Sequence, residues 1–377
     1  MNTGALSPAT LFPNCTVAEW LTGGRQWQGI PAVEVTEKGR LFAAWYSGGK
    51  TEEPGNIVVI EKSDDDGKTW TDGLLIVRHD DPNVRCFDEA MWIDPCGRLW
   101  CFWTQSEDKF DGRDGVWCTV CNDPDADSLI FSSPRRIADG LMLNKPIVKK
   151  DGEWLLPVAL WAIDVNASMP VSDPHPELND RRMANVYSSK DNGQTFTFVG
   201  GADVPQRSFD EHMVVELNDE RLWMLVRTTY GIGQAFSSDG GKTWADIGES
   251  GHSGPNSRFY IGRLKSGRLL LINHINPTYT TAKTSWSRRD NLCALLSDDD
   301  GKTWTGILPI DVRNQVSYPD VKQTKDGSIY VIYDYQRYGE REILLAKITE
   351  EDILAGQLVS KGSYLRRLVN KLAVSCN

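Results

Sequence analysis

Ser297-Asp298-Asp299-Asp300-Gly301-Lys302-Thr303-Trp304 is one of four copies of the pattern Ser-x-Asp-x-Gly-x-Thr-(Trp/Phe), which begin at Ser63, Ser189, Ser237 and Ser297. Self-similarity of this kind marks a repeat architecture. The chemistry of the octet is that of a locked hairpin turn. Asp caps nearby backbone N–H groups, Gly supplies a positive φ, and Thr opens a strand whose Trp or Phe is expected to be buried. The acidic residues of the octets are therefore staples rather than catalysts or metal ligands.

A second repeat runs in step with the first and covers the whole chain. A Gly turn precedes an apolar, aromatic strand in Gly39-Arg-Leu-Phe-Ala-Ala-Trp, Gly97-Arg-Leu-Trp-Cys-Phe-Trp, Gly152-Glu-Trp-Leu-Leu-Pro, Gly267-Arg-Leu-Leu-Leu-Ile and Gly327-Ser-Ile-Tyr-Val-Ile-Tyr. Glu220 takes the glycine's place in Glu220-Arg-Leu-Trp-Met-Leu. The six positions are 58, 55, 68, 47 and 60 residues apart, the length of a four-stranded propeller blade with a generous loop. The sequence thus predicts an all-β fold, a six-bladed β-propeller forming one domain over 1–377. The blades run roughly over 25–77, 85–138, 142–201, 206–250, 256–310 and 315–350, and residues 1–24 are expected to pair with the last blade and close the ring. Helical periodicity is confined to Glu350–Ala355 and Tyr364–Leu372, which predicts a short C-terminal helix packed on the outside.

Fourteen Trp suit sheets packed face to face and also suit sugar binding. A net charge of −11 argues against nucleic acid or an anionic membrane as partner, yet Arg residues gathered in one pocket would still hold an anionic substrate. The eight Cys (15, 86, 96, 101, 118, 121, 293 and 376) are scattered. Cys118 and Cys121 fall in the strand-like Val-Trp-Cys-Thr-Val-Cys without a second pair, so free thiols are expected rather than a zinc or redox site. The N-terminus shows no basic segment followed by an apolar run, and no stretch is long enough to span a membrane. A reducing, cytoplasmic setting is the expectation. Two loops stand out. Ser47–Asn56 is polar and Gly-rich, of the kind that carries function, and Asp164–Arg182, with three Pro, reads as a lid or rim loop.

With these motifs the sequence resembles the sialidase (neuraminidase) superfamily, six-bladed propellers that carry such Asp-box turns. The resemblance implies three Arg that bind a substrate carboxylate, a Tyr nucleophile paired with a Glu, and an Asp acid/base. Val316-Ser-Tyr318-Pro-Asp, with its turn and a strand ending Tyr333-Asp334, looks like the family's last-blade segment and puts Tyr318 on the nucleophile. Asp210-Glu211-His-Met-Val-Val-Glu-Leu, a turn, and a strand reaching Arg227 resemble the family's glutamate and second arginine. Both would face the central channel from blade four. The third arginine falls on Arg289, eight residues before Ser297, with Arg288 directed to the other face of its strand.

The chain departs from the family at two positions. Gly29-Ile-Pro stands where the family has Arg-Ile-Pro, and Ile57 occupies the place of the acid, six residues before the first octet. Gly cannot clamp a carboxylate, and an aliphatic side chain cannot donate a proton. Arg25 and Trp27 share a face with Gly29 if the strand extends back to them, and the missing side chain leaves room for Arg25 or Trp27 to fold across the gap, or for a bulkier substrate. For the acid, Glu53, beside Glu52 in the Gly-rich loop, is the first candidate and Asp88 the second, the latter as an acid or a substrate contact. Tyr230, Arg258, Asn144 and Lys145 complete the candidates for substrate binding. Asp114 lies at another inner-strand end, while His212 and His274 are read either as satisfied core histidines or as site residues.

The resemblance implies a retaining exo-glycosidase acting on a terminal acidic sugar, without a metal or other cofactor. A neutral phenol activated by Glu avoids the repulsion that a carboxylate nucleophile would feel from an anionic sugar. Two other readings stay open. A propeller lyase acting on uronic acids would need a Tyr or His base and a neutralising Arg. A carbohydrate-binding propeller would keep the pocket without the acid.

Overall fold

Each of the six turn positions joins the first and second strands of an antiparallel sheet, and the six sheets form a six-bladed β-propeller. The computed structural model describes residues 4–166, 169, 171, 173–276 and 288–373. The five turn glycines have φ between 80° and 93°, and Glu220 adopts the same left-handed conformation at 69°. The octets join the third and fourth strands of blades one, three, four and five. In all four, the Ser Oγ donates to the Asp carboxylate at 2.8–2.9 Å and receives the Gly N–H at 2.8–3.0 Å. The Trp or Phe that ends each octet is half-buried, not buried as expected, because it covers the outer rim of the sheet.

The strands read as continuous apolar runs because both faces of each blade are covered. Leu269 and Leu271 pack against blade four, whereas Leu270 and Ile272 pack against blade six. Likewise Leu41, Ala43 and Trp45 face blade six while Phe42, Ala44 and Tyr46 face blade two. Period-two alternation therefore converts one run into two inter-blade cores.

Ring closure departs from the expectation. Thr10–Pro13 pairs with Leu75–Arg78 as the outer, fifth strand of blade one and does not reach blade six. Blade six takes its fourth strand from Tyr364–Lys371, which the sequence had suggested as helical. The residues of this strand run in pairs, Tyr-Leu, Arg-Arg, Leu-Val, Asn-Lys, a four-residue apolar–polar period that mimics an amphipathic helix over eight positions. The short helix Glu350–Ala355 does form, capped by Thr349 and Asp352, in the place an octet holds in other blades. Blades one and six meet through side chains instead of a shared sheet. The Val33 N–H donates to Asp320 Oδ2 at 2.8 Å, and the Ile30 N–H to Asp334 Oδ2 at 2.9 Å.

Cys118 and Cys121 lie on a strand of blade two, both buried free thiols. Cys376 lies outside the described residues. Among the described residues no helix is long and apolar enough to cross a membrane.

Candidate active site

The innermost strands of blades one, two and six share a backbone irregularity that aims side chains into one end of the channel. Pairing slips between Gly29 and Ala32, between Phe87 and Ala90, and between Ser317 and Asp320. Within each slip one non-glycine residue takes a positive φ: Ile30 at 63°, Asp88 at 47° and Tyr318 at 57°. In blade four the run Phe209, Asp210, Glu211 does the same just ahead of the first strand. β-Bulges re-aim side chains at strand ends, and such strain concentrates where geometry serves function.

The result is a cavity of about 540 Å³ lined by Tyr318, Glu211, Arg227, Arg289, Arg337 and Asp88, among others. The Tyr318 hydroxyl donates to Glu211 Oε1 at 2.8 Å and accepts from Arg227 Nη1 at 2.8 Å. Arg227 Nη1 also pairs with the Glu211 carboxylate, and Arg227 Nε donates to Asn256 Oδ1 at 2.6 Å. Arg289 Nη2 donates to the Asn256 carbonyl at 2.9 Å, and its guanidinium lies 5.2 Å from the centre of the Tyr318 ring. Arg288 instead pairs with Asp290 at the surface.

Electrostatics follow from burial and neighbours. Burial pushes the Tyr318 phenol up to about 12, against the pull of Arg227 and Arg289, so it needs a base to ionise near neutrality. Burial works against the Arg227 charge, but Glu211 and Tyr318 outweigh it and hold the guanidinium above its ordinary value. Burial lifts the Asp88 carboxyl to about 7; Arg85 opposes this, and Glu211 and Glu52 add to it. A carboxyl in that range keeps a substantial protonated fraction, about half, at neutral pH.

Several expected contacts lie elsewhere. The Glu53 carboxylate turns back on its own loop and accepts the Lys50 N–H at 2.6 Å; its neighbour Glu52 lines the cavity. Arg25 is buried beside Trp45 just ahead of the strand Trp27–Val35, bonded to Gln28 and Thr22, and does not line the cavity. Trp27 lies one layer behind the wall, packed on Tyr46 and Tyr338. Tyr230 is buried within blade four, its hydroxyl 3.4 Å from the Gly248 carbonyl. Asp114 is buried and its carboxyl is pushed well up by burial, without reaching the cavity lining. His212 and His274 are buried, lowered to about 4 and hydrogen-bonded to the Asn185 and Asp290 carbonyls.

Asn144, Lys145 and Arg258 form the axle of the ring and do not line the cavity. Lys145 Nζ reaches Val33 O at 2.5 Å, Met91 O at 2.7 Å, Asp320 Oδ2 at 2.9 Å and Glu34 Oε1 at 3.1 Å. Arg258 Nε donates to Asn144 Oδ1 at 2.7 Å, and Asn144 Nδ2 donates to Glu211 O at 2.9 Å. Every blade is tied in by these contacts. Asn166 and Met169 bring the blade-three insertion to the cavity rim, while residues 167, 168, 170 and 172 lie outside the described set.

Arg337 escaped the sequence reading. It follows the last-blade strand, three residues beyond Asp334, with which its Nε pairs at 2.9 Å. That spacing from a buried Asp was its one local signal. Its guanidinium lies 4.3 Å from the centre of the Tyr318 ring, and its side chain fills the space that Gly29 leaves free. Arg85 was also missed; it lines the cavity with its guanidinium 3.6 Å from the centre of the Phe87 ring.

The channel mouth thus gathers Arg85, Arg227, Arg289 and Arg337 around the Tyr318–Glu211 pair. The chain belongs to the BNR repeat-like domain family, whose pattern matches residues 39–331. A Hadza microbial sialidase superposes with a TM-score of 0.66 at 16% identity, over 88% of this chain and 67% of that one. The intramolecular trans-sialidase from Ruminococcus gnavus, solved with oseltamivir carboxylate, gives 0.64 at 12% identity, over 93% of this chain and 99% of that one. The Trypanosoma rangeli sialidase, solved with the inhibitor DANA, gives 0.62 at 15% identity, over 88% of this chain and 56% of that one. At such identities the likeness is one of fold. No curated protein matches the chain by sequence.

Proposed function

We propose that this protein is a retaining exo-glycosidase that releases a terminal acidic sugar, sialic acid or a related ulosonic acid. The observation that carries the reading is the Tyr318 hydroxyl hydrogen-bonded at 2.8 Å to Glu211 within a cavity bordered by guanidinium groups. Glu211 takes the phenol proton as Tyr318 Oη bonds to the anomeric carbon, and Arg227, in contact with both groups, stabilises the charge that develops. Asp88 gives its proton to the departing oxygen and later accepts one from the water that releases the sugar. Tyr318 leaves in that second step and recovers its proton from Glu211. Two displacements return the anomeric centre to its starting configuration. Arg227 and Arg289 hold the sugar carboxylate and fix the ring over the phenol.

A panel of aryl glycosides of acidic and neutral sugars, followed beside Tyr318→Phe, tests the reading. Wild type is expected to release free acidic sugar with no ultraviolet-absorbing unsaturated product. Tyr318→Phe is expected to lose at least ~10³-fold in kcat while still binding the sugar. An unsaturated product would replace this reading with a lyase. Ligand-induced stabilisation without turnover of any glycoside would replace it with a carbohydrate-binding propeller.

A further inference from the structure

Glu211 owes its direction to a backbone that its own residue type does not favour. Phe209, Asp210 and Glu211 take φ of 58°, 54° and 41° in succession, a left-handed run in which each Cβ crowds the following carbonyl. Asp tolerates that region better than Phe or Glu, so the run persists only where its surroundings hold it. The Phe209 carbonyl accepts the Glu211 N–H at 2.6 Å and Trp161 Nε1 at 3.0 Å, and the Asp210 carbonyl accepts the Arg227 N–H at 2.8 Å. The middle side chain is held as well. Arg207 Nη1 donates to both oxygens of the Asp210 carboxylate at 3.1 Å, and Asp210 is 1% exposed against 12% for Arg207. Neither residue lines the cavity. Arg207 is itself anchored, its Nε on Asp203 at 2.9 Å and its Nη2 on the carbonyl of Arg182, the last residue of the blade-three insertion. A buried pair of this kind gains little net stability over apolar packing. What it does here is tie the centre of the left-handed run to blade three.

We propose that Arg207 and Asp210 are positioning residues whose ion pair holds the run that aims the Glu211 carboxylate at the Tyr318 hydroxyl, an inference that rests on the glycosidase reading of the same cavity. With the pair removed, the run relaxes toward ordinary backbone, and Glu211 leaves the line along which it takes the phenol proton. The Arg227 guanidinium is spared, because Nε and Nη2 are fixed on Asn256 Oδ1 and O at 2.6 and 3.2 Å, outside the run. The pair therefore acts on the chemical step and not on binding of the sugar.

Steady-state kinetics on alkyl and aryl glycosides of the acidic sugar, run beside melting curves, provide the test. Asp210→Asn keeps the shape and the tolerance for positive φ but removes the charge. It is expected to lower kcat by about tenfold or more with KM within a factor of about two. The loss should be equal on both glycosides, since the phenol attacks in either case. Arg207→Met is expected to match it, and Arg207→Lys, which keeps the charge but cannot reach all three partners, to recover part of the loss. If the first two variants do not fold, Arg207→Lys keeps the test decisive, with a severalfold fall in kcat at unchanged KM expected. Folded variants with wild-type kcat, whatever their melting temperature, overturn the proposal, as does a loss confined to KM. A loss confined to alkyl glycosides also overturns it, because the pair would then act through Asp88. Each of these failures leaves the glycosidase reading standing if wild type cleaves the acidic sugar; a wild type that cleaves none fails that reading instead.

Discussion

The outer octet turns and the inner bulges are both repeats, but they repeat different things. In the four octets residue identity and geometry recur together: the Thr N–H meets the Asp carboxylate at 2.8–3.0 Å each time. At the inner bulges the backbone recurs while the side chain changes, Ile30 in blade one, Asp88 in blade two and Tyr318 in blade six. The rim repeats because each turn satisfies itself within eight residues. The bulges present side chains to a shared cavity, where each of the three supplies a different chemical group. Stability is thereby built from identical parts, and function from equivalent positions that differ.

Substitution at the bulges should act on rate, and at the axle or rim on stability. After Tyr318, the largest effect is expected at Asp88. With its carboxyl at about 7, the protonated form that donates a proton is lost as pH rises through that value, so kcat/KM should fall on the alkaline side. Asp88→Asn should abolish that limb and cost ~10²-fold or more on alkyl glycosides, with far less loss on aryl glycosides whose leaving groups need no proton. Equal losses on both would remove Asp88 from the acid role.

Lys145→Met should come next, in stability. It removes the cation shared by the Glu34 and Asp320 carboxylates at the axle, leaving Glu34 with Lys322 and Asp320 with Arg258, so the cost should approach, at most, the ~3–5 kcal/mol of a broken buried pair. Denaturant unfolding monitored by Trp fluorescence would read it. A small change would mean that Arg258 and Lys322 hold the axle without Lys145.

Asp191→Asn should lower the melting temperature by less and change its acid dependence. The Thr195 hydroxyl and N–H hold the Asp191 carboxyl down to about 2, below its unfolded value of ~3.9. Its contribution is therefore complete above the unfolded value and fades as pH falls toward about 2. The variant should show a flatter loss of stability across that window, whereas activity at neutral pH should be preserved. Parallel acid limbs would show that the octet carboxylate does not act through its charge.

The smallest effect is expected at Glu220, the exposed residue in a turn that elsewhere uses Gly. Glu220→Gly relieves about 1–2 kcal/mol of left-handed strain and costs about 0.5–1 kcal/mol in unfolded-chain entropy. A net stabilisation of about 0.5 kcal/mol should appear in urea unfolding. A destabilised variant would give Glu220 a contact of its own.

The arrangement at Arg337 shows where reading along the chain stops. Gly29 looked like a lost arginine, and alternation pointed to Arg25 or Trp27 as the residue to fill the gap. In the folded ring the gap is filled from blade six, 308 positions further along, because closure sets the two blades side by side. Glu52 and Glu53 present the same difficulty. Adjacent residues in a Gly-rich loop point in different directions, and the Lys50 N–H draws Glu53 inward while Arg337 holds Glu52 at the cavity.

By itself the sequence determined the number of blades, the octet turns and the two faces of each strand. Those features rest on hydrogen bonds and hydrophobic periodicity that act over a few residues. It also singled out Tyr318, Glu211, Arg227 and Arg289 through motifs that keep their local spacing. Only the tertiary structure decided which carboxylate faces the cavity, where the N-terminal strand pairs, and that Asn144, Lys145 and Arg258 serve the axle. Each of those outcomes depends on packing between blades distant in the chain, and such packing leaves no periodic trace along it.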